Sequence, residues 1–267
     1  MELYELNLVL DQVTDVGNLI KTKFLEIDKY IQNELPKDNL KNIQVIYSIG
    51  DGDSFHAALA SEMAFGEFAK TTYLPREAMR FLEYEADHLK NEFPFIPLVI
   101  GISASGSSNR VVESLERVNI RNKEIDTLAI VGNPVSKVAN VAKKSISVEI
   151  PNLGASPGIR TYEASLMGLI AIAIRIGEAK EYLKKEDVEF LHMEIIKLAD
   201  VVDKTVEEVM KPAKIAARDL SGAKFISYVG SGPSYGTAMF SSAKLIETSG
   251  VFATAQDLEE WMHVEGL

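Results

Sequence analysis

The stretch Ser103-Ala104-Ser105-Gly106-Ser107-Ser108 gathers four hydroxyls around one glycine. It follows the apolar run Val99–Ile102 and precedes a helical pattern from Asn109 to Val118. The first turn of a helix leaves its N–H groups unpaired and directs the positive dipole end outward. A strand running into such a turn therefore makes an anion site, and the serines add donors. No Lys or Arg lies among them, and Arg110 comes only after. The chemistry this fits is a cradle for one phosphate on a small molecule. An ordinary strand–turn–helix with a serine-rich cap uses the same residues, and the stretch read alone leaves both readings open.

Acid–base chemistry has two candidates. Glu247 lies on a helical pattern after Gly230, with Lys244 three residues before it. It reads either as a surface ion pair or, if that helix faces a cleft, as a general base. His263 stands among carboxylates in Leu258–Glu265. His56, His88 and His192 fall in helical patterns, where packing or surface roles dominate. No spaced set of metal ligands is present, so no metal is expected. Gly50-x-Gly52 and Gly230-x-Gly232 follow strands but lack the third glycine of a dinucleotide fingerprint, and Asp51 and Asp53 would repel a pyrophosphate.

Elements must position these residues. Apolar residues from Leu6 to Ile31 recur at helical spacing and predict a long amphipathic helix, broken near Gly17 and ended before Pro36, as a packing or dimerisation arm. Lys37–Asn42 reads as a linker. Strands are then expected at Ile43–Ile49, Thr71–Leu74, Ile96–Ile102, Asp126–Val131 and Ser145–Ile150. Helices are expected between them at Ser54–Ala69, Arg76–Asn91, Asn109–Val118 and Ser136–Ala142. Such alternation predicts an α/β fold, a doubly wound parallel sheet with helices on both faces and ligands at the carboxyl ends of the strands. Gly50–Asp53, Ser103–Ser108 and Gly132–Pro134 all fall at such ends. Beyond the Pro151–Gly158 loop, helices are expected at Arg160–Gly177, Lys185–Met210 and Pro212–Leu220, then a strand at Lys224–Val229 and a helix at Ser234–Thr248.

The chain also repeats itself. Ile46, Gly50, Gly52, Ser54 and Ala58 match Ile226, Gly230, Gly232, Ser234 and Ala238 at a constant offset of 180. This points to two copies of one α/β unit. The second copy is short, with room for a strand, a helix and little more. The expected organisation is a helical arm at 1–40, a first domain at 41–184, and linking helices with the start of a second domain at 185–267.

Composition bounds the partners. The 267 residues are 46% apolar and 25% charged, with no Cys and a net charge of −11. A cysteine nucleophile, disulfides and thiolate zinc are excluded. The acidic balance argues against nucleic acid, whose phosphates call for a basic stripe. The longest apolar run, Leu166–Ile174, is too short to cross a membrane. Residues 1–10 are unlike a signal peptide. A cytoplasmic protein is expected.

Read in order, Ile49–Ala58, Ile102–Ser108, Gly230–Tyr235, Lys244–Glu247 and Glu260-Trp261-Met262-His263 resemble the sugar isomerase (SIS) domain family. The likeness is greatest to the two-domain isomerase half of glucosamine-6-phosphate synthase and its amino-sugar deaminase relatives, and it runs from about residue 40 onward. It implies that Ser103, Ser105 and Ser108, in a loop completed by Gly106 and Ser107, bind the sugar's phosphate. It implies a sugar-binding turn at Gly52, Asp53 and Ser54. It implies Glu247 as the group that moves a proton between C1 and C2. His263 becomes the residue that assists ring opening, supplied from the neighbouring subunit of a homodimer with shared sites. No cofactor is implied.

Departures qualify the likeness. Ala104 stands where the family has glutamine between two serines. Along Asn152–Tyr162, Ala155 replaces a glutamate and Arg160 a serine. The synthase's lysine-bearing tail and glutaminase half have no counterpart in these residues, so glutamine-driven synthesis is not expected. What is expected is aldose–ketose isomerisation of a hexose or amino-sugar 6-phosphate, with ammonia release if nitrogen is at C2. A phosphoglucose/phosphomannose isomerase and a non-catalytic phosphosugar binder are the alternatives.

Overall fold

A computed structural model describes residues 6–92 and 94–265. The first five residues of the expected arm and the last two of the second unit lie outside the described residues. Helices α1 (Leu6–Thr14) and α2 (Val16–Glu34) meet at Asp15, close to the expected break. The arm is not an appendage. Leu19, Ile20, Phe24, Ile27 and Ile31 of α2 lie in the same core as the sheet.

The first unit then alternates: β1 (Val45–Gly50), α3 (Asp53–Ala60), α4 (Glu62–Ala64), β2 (Thr72–Glu77), α5 (Ala78–Tyr84), β3 (Pro97–Ser103), α6 (Asn109–Arg121), β4 (Asp126–Val131), α7 (Lys137–Val141) and β5 (Lys144–Ser147). The five strands form one parallel sheet in the order β2-β1-β3-β4-β5. Alternation along the strands sends Ile46, Ile100, Ile102 and Ile130 to the face covered by α2, α3 and the following helix α8 (Arg160–Ala179). Ile49, Val99, Ala129 and Val131 meet α5, α6 and α7 on the other. The expected doubly wound sheet is present, and β3 is buried along its whole length.

Some boundaries differ. The expected helix from Arg76 is shorter, because Arg76 and Glu77 pair with Ile49 and Gly50 and extend β2. The helix expected to run through Ala69 is interrupted at Ser61 and closes in a wide turn, Phe65–Ala69. The two helices expected around Pro212 are one, α9 (Lys185–Asp219). Proline removes an N–H and frees the carbonyl four residues back. Here that carbonyl belongs to exposed Glu208, where water can bond it.

The second unit consists of β6 (Ile226–Gly230), α10 (Pro233–Ser249), β7 (Ala253–Asp257) and α11 (Leu258–Val264). It is longer than expected, since β7 and α11 continue the repeat. Ile46 pairs with Tyr73 and Ile226 with Ala253, so the offset of 180 holds across both strands of each pair. The turns match too, with Gly52 at φ 53° and ψ −128° and Gly232 at φ 56° and ψ −132°. Glu77 precedes α5 at φ −63°, and Asp257 precedes α11 at φ −62°. Among the described residues β6 pairs only with β7.

Candidate active site

In an order of β2-β1-β3, the chain leaves β1 toward one side of the sheet and leaves β3 toward the other. A crevice opens outside the carboxyl ends of these two strands. The turn Gly50–Asp53 and the loop Ser103–Ser108 flank it, and a hydrogen bond from Ser108 Oγ to Asp51 Oδ2 (3.0 Å) ties them together. The other oxygen of Asp51 accepts from Ala78 N (3.3 Å) at the start of α5. Asp51 is thus occupied by a helix N-terminus and a serine.

The serine loop is fixed by its backbone. Gly106 N donates to Ser103 O (2.9 Å), Gly132 N to Ala104 O (3.0 Å) and Val138 N to Gly106 O (3.1 Å). Gly106 has φ +68°, and a Cβ there would overlap Ser136. Only glycine fits both constraints. Ser108 caps α6 by accepting from Val111 N (3.4 Å). The capping reading is therefore correct for Ser108, whose hydroxyl is held by α6 and Asp51. Ser105 and Ser107 are exposed, their hydroxyls 2.7 Å apart. Ser103 is buried beneath them. The first turn of α6 carries no acidic residue. Arg110 pairs with Glu113 on its own helix.

A cavity of about 340 Å³ opens beside this loop. Ala104 and Ser105 form one wall, and Asn152, Gly158 and Thr161 form another. Gln12 of α1 shapes the second wall. Its amide donates to Pro157 O (2.9 Å) and contacts Ser156 Oγ. Its oxygen accepts from Ile159 N (3.0 Å) and Arg160 N (3.2 Å), two orphan donors at the start of α8. Gln12 was missed in the sequence. The signal was a polar residue between Val9, Val13 and Val16 on an apolar helix face. Arg160 also lines the cavity, but it is buried and its guanidinium is held by Asp15 Oδ2 (2.7 Å) and Pro151 O (2.6 Å).

The second unit meets the first where α10 packs on α3. A Cβ on Gly236 would come within 2.7 Å of His56 O and Ala60 N, so glycine allows the two helices their close approach. This brings Lys244 Nζ to 2.6 Å from Asp53 Oδ2 and 2.6 Å from Glu247 Oε2. The Lys244 ammonium also lies 5.3 Å over the Phe240 ring, which stacks on Tyr162 at 4.0 Å. Burial pushes the Tyr162 hydroxyl well above the usual phenol range. Asp53 Oδ2 is 3.9 Å from the Cβ position of Gly158 on the cavity wall. Gly52, Asp53, Ser54 and Glu247 are not among the residues lining the cavity; Asp53 approaches it at Gly158, and Glu247 is joined to Asp53 through Lys244.

His263 is placed elsewhere. Its side chain is 71% exposed on α11 and contacts Glu259 Oε1 at 3.1 Å.

Comparison with known proteins agrees with this architecture. The SIS domain profile matches residues 39–175, from ahead of β1 into α8. The glutamine–fructose-6-phosphate aminotransferase (isomerizing) of Clostridium tetani is 28% identical over 243 residues, covering 86% of this chain and 36% of that enzyme. The chain thus spans just over a third of that curated relative. The C-terminal domain of glucosamine-fructose-6-phosphate aminotransferase from Francisella tularensis superposes with a TM-score of 0.81 at 18% identity, over 98% of this chain and 72% of that one. Glucosamine-6-phosphate deaminase from Thermotoga maritima gives 0.71 at 20% identity, over 97% and 72%. No helix of the described residues is long and apolar enough to cross a membrane. By its matched profile and its parallel sheet, this chain belongs to the SIS domain family.

Proposed function

We propose that the protein binds a hexose or amino-sugar 6-phosphate and isomerises it between aldose and ketose forms. The observation that carries this reading is the cavity beside a serine-lined helix N-terminus, which Asp53, joined through Lys244 to Glu247, approaches at Gly158. The phosphate docks on Ser103, Ser105, Gly106, Ser107 and Ser108, where amides and hydroxyls stabilise it without a basic side chain. The sugar extends past Gly52 and Ser54. Glu247 takes a proton from one carbon and returns it to its neighbour through an enediol or, with nitrogen at C2, an enolamine. Such positioned proton transfer contributes typically ~10²–10⁴-fold. An amino sugar isomerised in this way carries an imine that water opens with release of ammonia.

His263 fits the ring-opening role only from a second copy, since in its own chain it faces outward beside Glu259. The reading is therefore a homodimer with shared sites in the cytoplasm. Mixing Glu247→Gln with His263→Ala, each inactive alone, restores turnover if the two residues serve one site from different chains. No restoration overturns the shared site.

The function is tested by offering glucosamine 6-phosphate with coupled detection of ammonia, and fructose 6-phosphate with detection of the aldose. Ammonia identifies a deaminase, and aldose without ammonia a plain isomerase. Binding of glucitol 6-phosphate without turnover of either substrate identifies a phosphosugar binder and overturns the enzyme reading.

A further inference from the structure

Asp53 falls in the turn expected to touch the sugar, yet its carboxylate faces the second unit. One oxygen takes the Lys244 ammonium at 2.6 Å, and the same ammonium takes Glu247 at 2.6 Å. The other oxygen is buried without a hydrogen-bond partner and lies 3.7 Å from His56 Nδ1, itself buried and unpartnered. Lys244 is only 12% exposed, so it is held rather than free to swing. The row His56, Asp53, Lys244, Glu247 crosses from α3 to α10 at the contact that Gly236 permits.

We infer that Asp53 is a positioning residue: it anchors Lys244 so that the ammonium fixes and partly neutralises Glu247, and the proton-transferring end of the site is complete only when α10 is docked on α3. The physical ground is that a lone lysine beside a carboxylate has several rotamers of similar energy, whereas one clamped between two carboxylates has few. A side chain locked by its neighbours holds the reacting group in place, and small misplacements of such a group cost rate. This role rests on the isomerase reading above.

The test uses fructose 6-phosphate as substrate and glucitol 6-phosphate as a non-reacting probe. Asp53→Asn is expected to lower kcat by roughly 10–100-fold. KM and probe affinity should stay within about threefold, because the phosphate loop is untouched. Asp53→Glu recovers part of the loss. Lys244→Met gives a similar loss, and adding it to Asp53→Asn costs little more, since both act through one contact. If Asp53→Asn does not fold, Lys244→Met and Asp53→Glu carry the same readout. Unchanged kcat in Asp53→Asn, or lost probe affinity with kcat kept, overturns the positioning role and leaves the isomerase reading intact. No turnover by the unsubstituted protein overturns the isomerase reading and this role with it.

Discussion

The segments β1–α3–β2–α5 and β6–α10–β7–α11 have the same strand register and nearly the same turn angles, but very different surroundings. Ile49 is fully buried, whereas its counterpart Val229 is 42% exposed. Leu82 is 4% exposed, and its counterpart Met262 is 61% exposed. In the first unit, β3 completes the sheet beside β1, and α6 packs with α5 over the same face. The described residues bring no equivalent to β6. Local geometry therefore follows from local sequence: a strand, a Gly-x-Gly turn and a helix reproduce one another across the offset of 180. Burial depends on what is packed alongside. The proposed site follows the same division, with the serine loop in the well-covered first unit and Glu247 in the sparsely covered second.

Substitutions in the two units should separate these roles. Glu247→Gln is expected to reduce kcat by ~10²–10⁴-fold, with phosphosugar affinity retained. Steady-state kinetics with glucitol 6-phosphate binding measures both; loss of affinity without loss of kcat would reverse the assignment. Next, Ile49→Ala should cost about 2–5 kcal/mol of folding stability. Its partner in the repeat, Val229→Ala, should stay within about 0.5 kcal/mol. Urea denaturation of the pair breaks the comparison if the two costs are equal. Ser105→Ala should weaken fructose 6-phosphate by about 10–100-fold in KM and spare kcat, as expected for a lost bond to a charged group.

A smaller effect concerns the groove where α9 crosses α2 and α8 on its way between the units. Glu163 lies there among Ile20, Phe24, Leu166 and Val202. Burial pushes its carboxyl from 4.5 up to about 7. The folded protein then binds this proton more tightly than the unfolded chain does. Its contribution to stability is fully present below the ordinary glutamate range and is lost as pH rises toward 7. Glu163→Gln should thus be more stable than the parent above pH 7, by on the order of 2 kcal/mol, with the gain vanishing in acid. Thermal unfolding across pH checks the sign.

Much of this was legible in the chain because it is written in local pattern. Apolar runs ending in Gly50, Ser103 and Gly132 place three loops at one sheet edge, and the offset of 180 marks the second unit. What escaped depends on distant partners. Gln12 holds Ile159 and Arg160 across nearly 150 residues of chain, and periodicity carries no such information. Lys244 reads as the neighbour of Glu247, yet its bond to Asp53 exists only because α10 docks on α3. Arg160 lines the cavity at the start of α8, but its guanidinium is held by Asp15 from the first helices, a partner no local pattern shows. Ala253–Val264 could not be read as strand and helix by apolar pattern, since β7 reads Ala-Thr-Ala-Gln-Asp and gains its shape from pairing with β6.

The division of labour is tested most directly by solvent exchange. Fructose 6-phosphate is incubated with the protein in D2O, and deuterium at C1 of the ketose and C2 of the aldose is followed by NMR. The account predicts steady incorporation by the parent chain and its near loss in Glu247→Gln, with glucitol 6-phosphate binding equal in both. Equal incorporation by the two proteins, or binding by the parent without any incorporation, would contradict it.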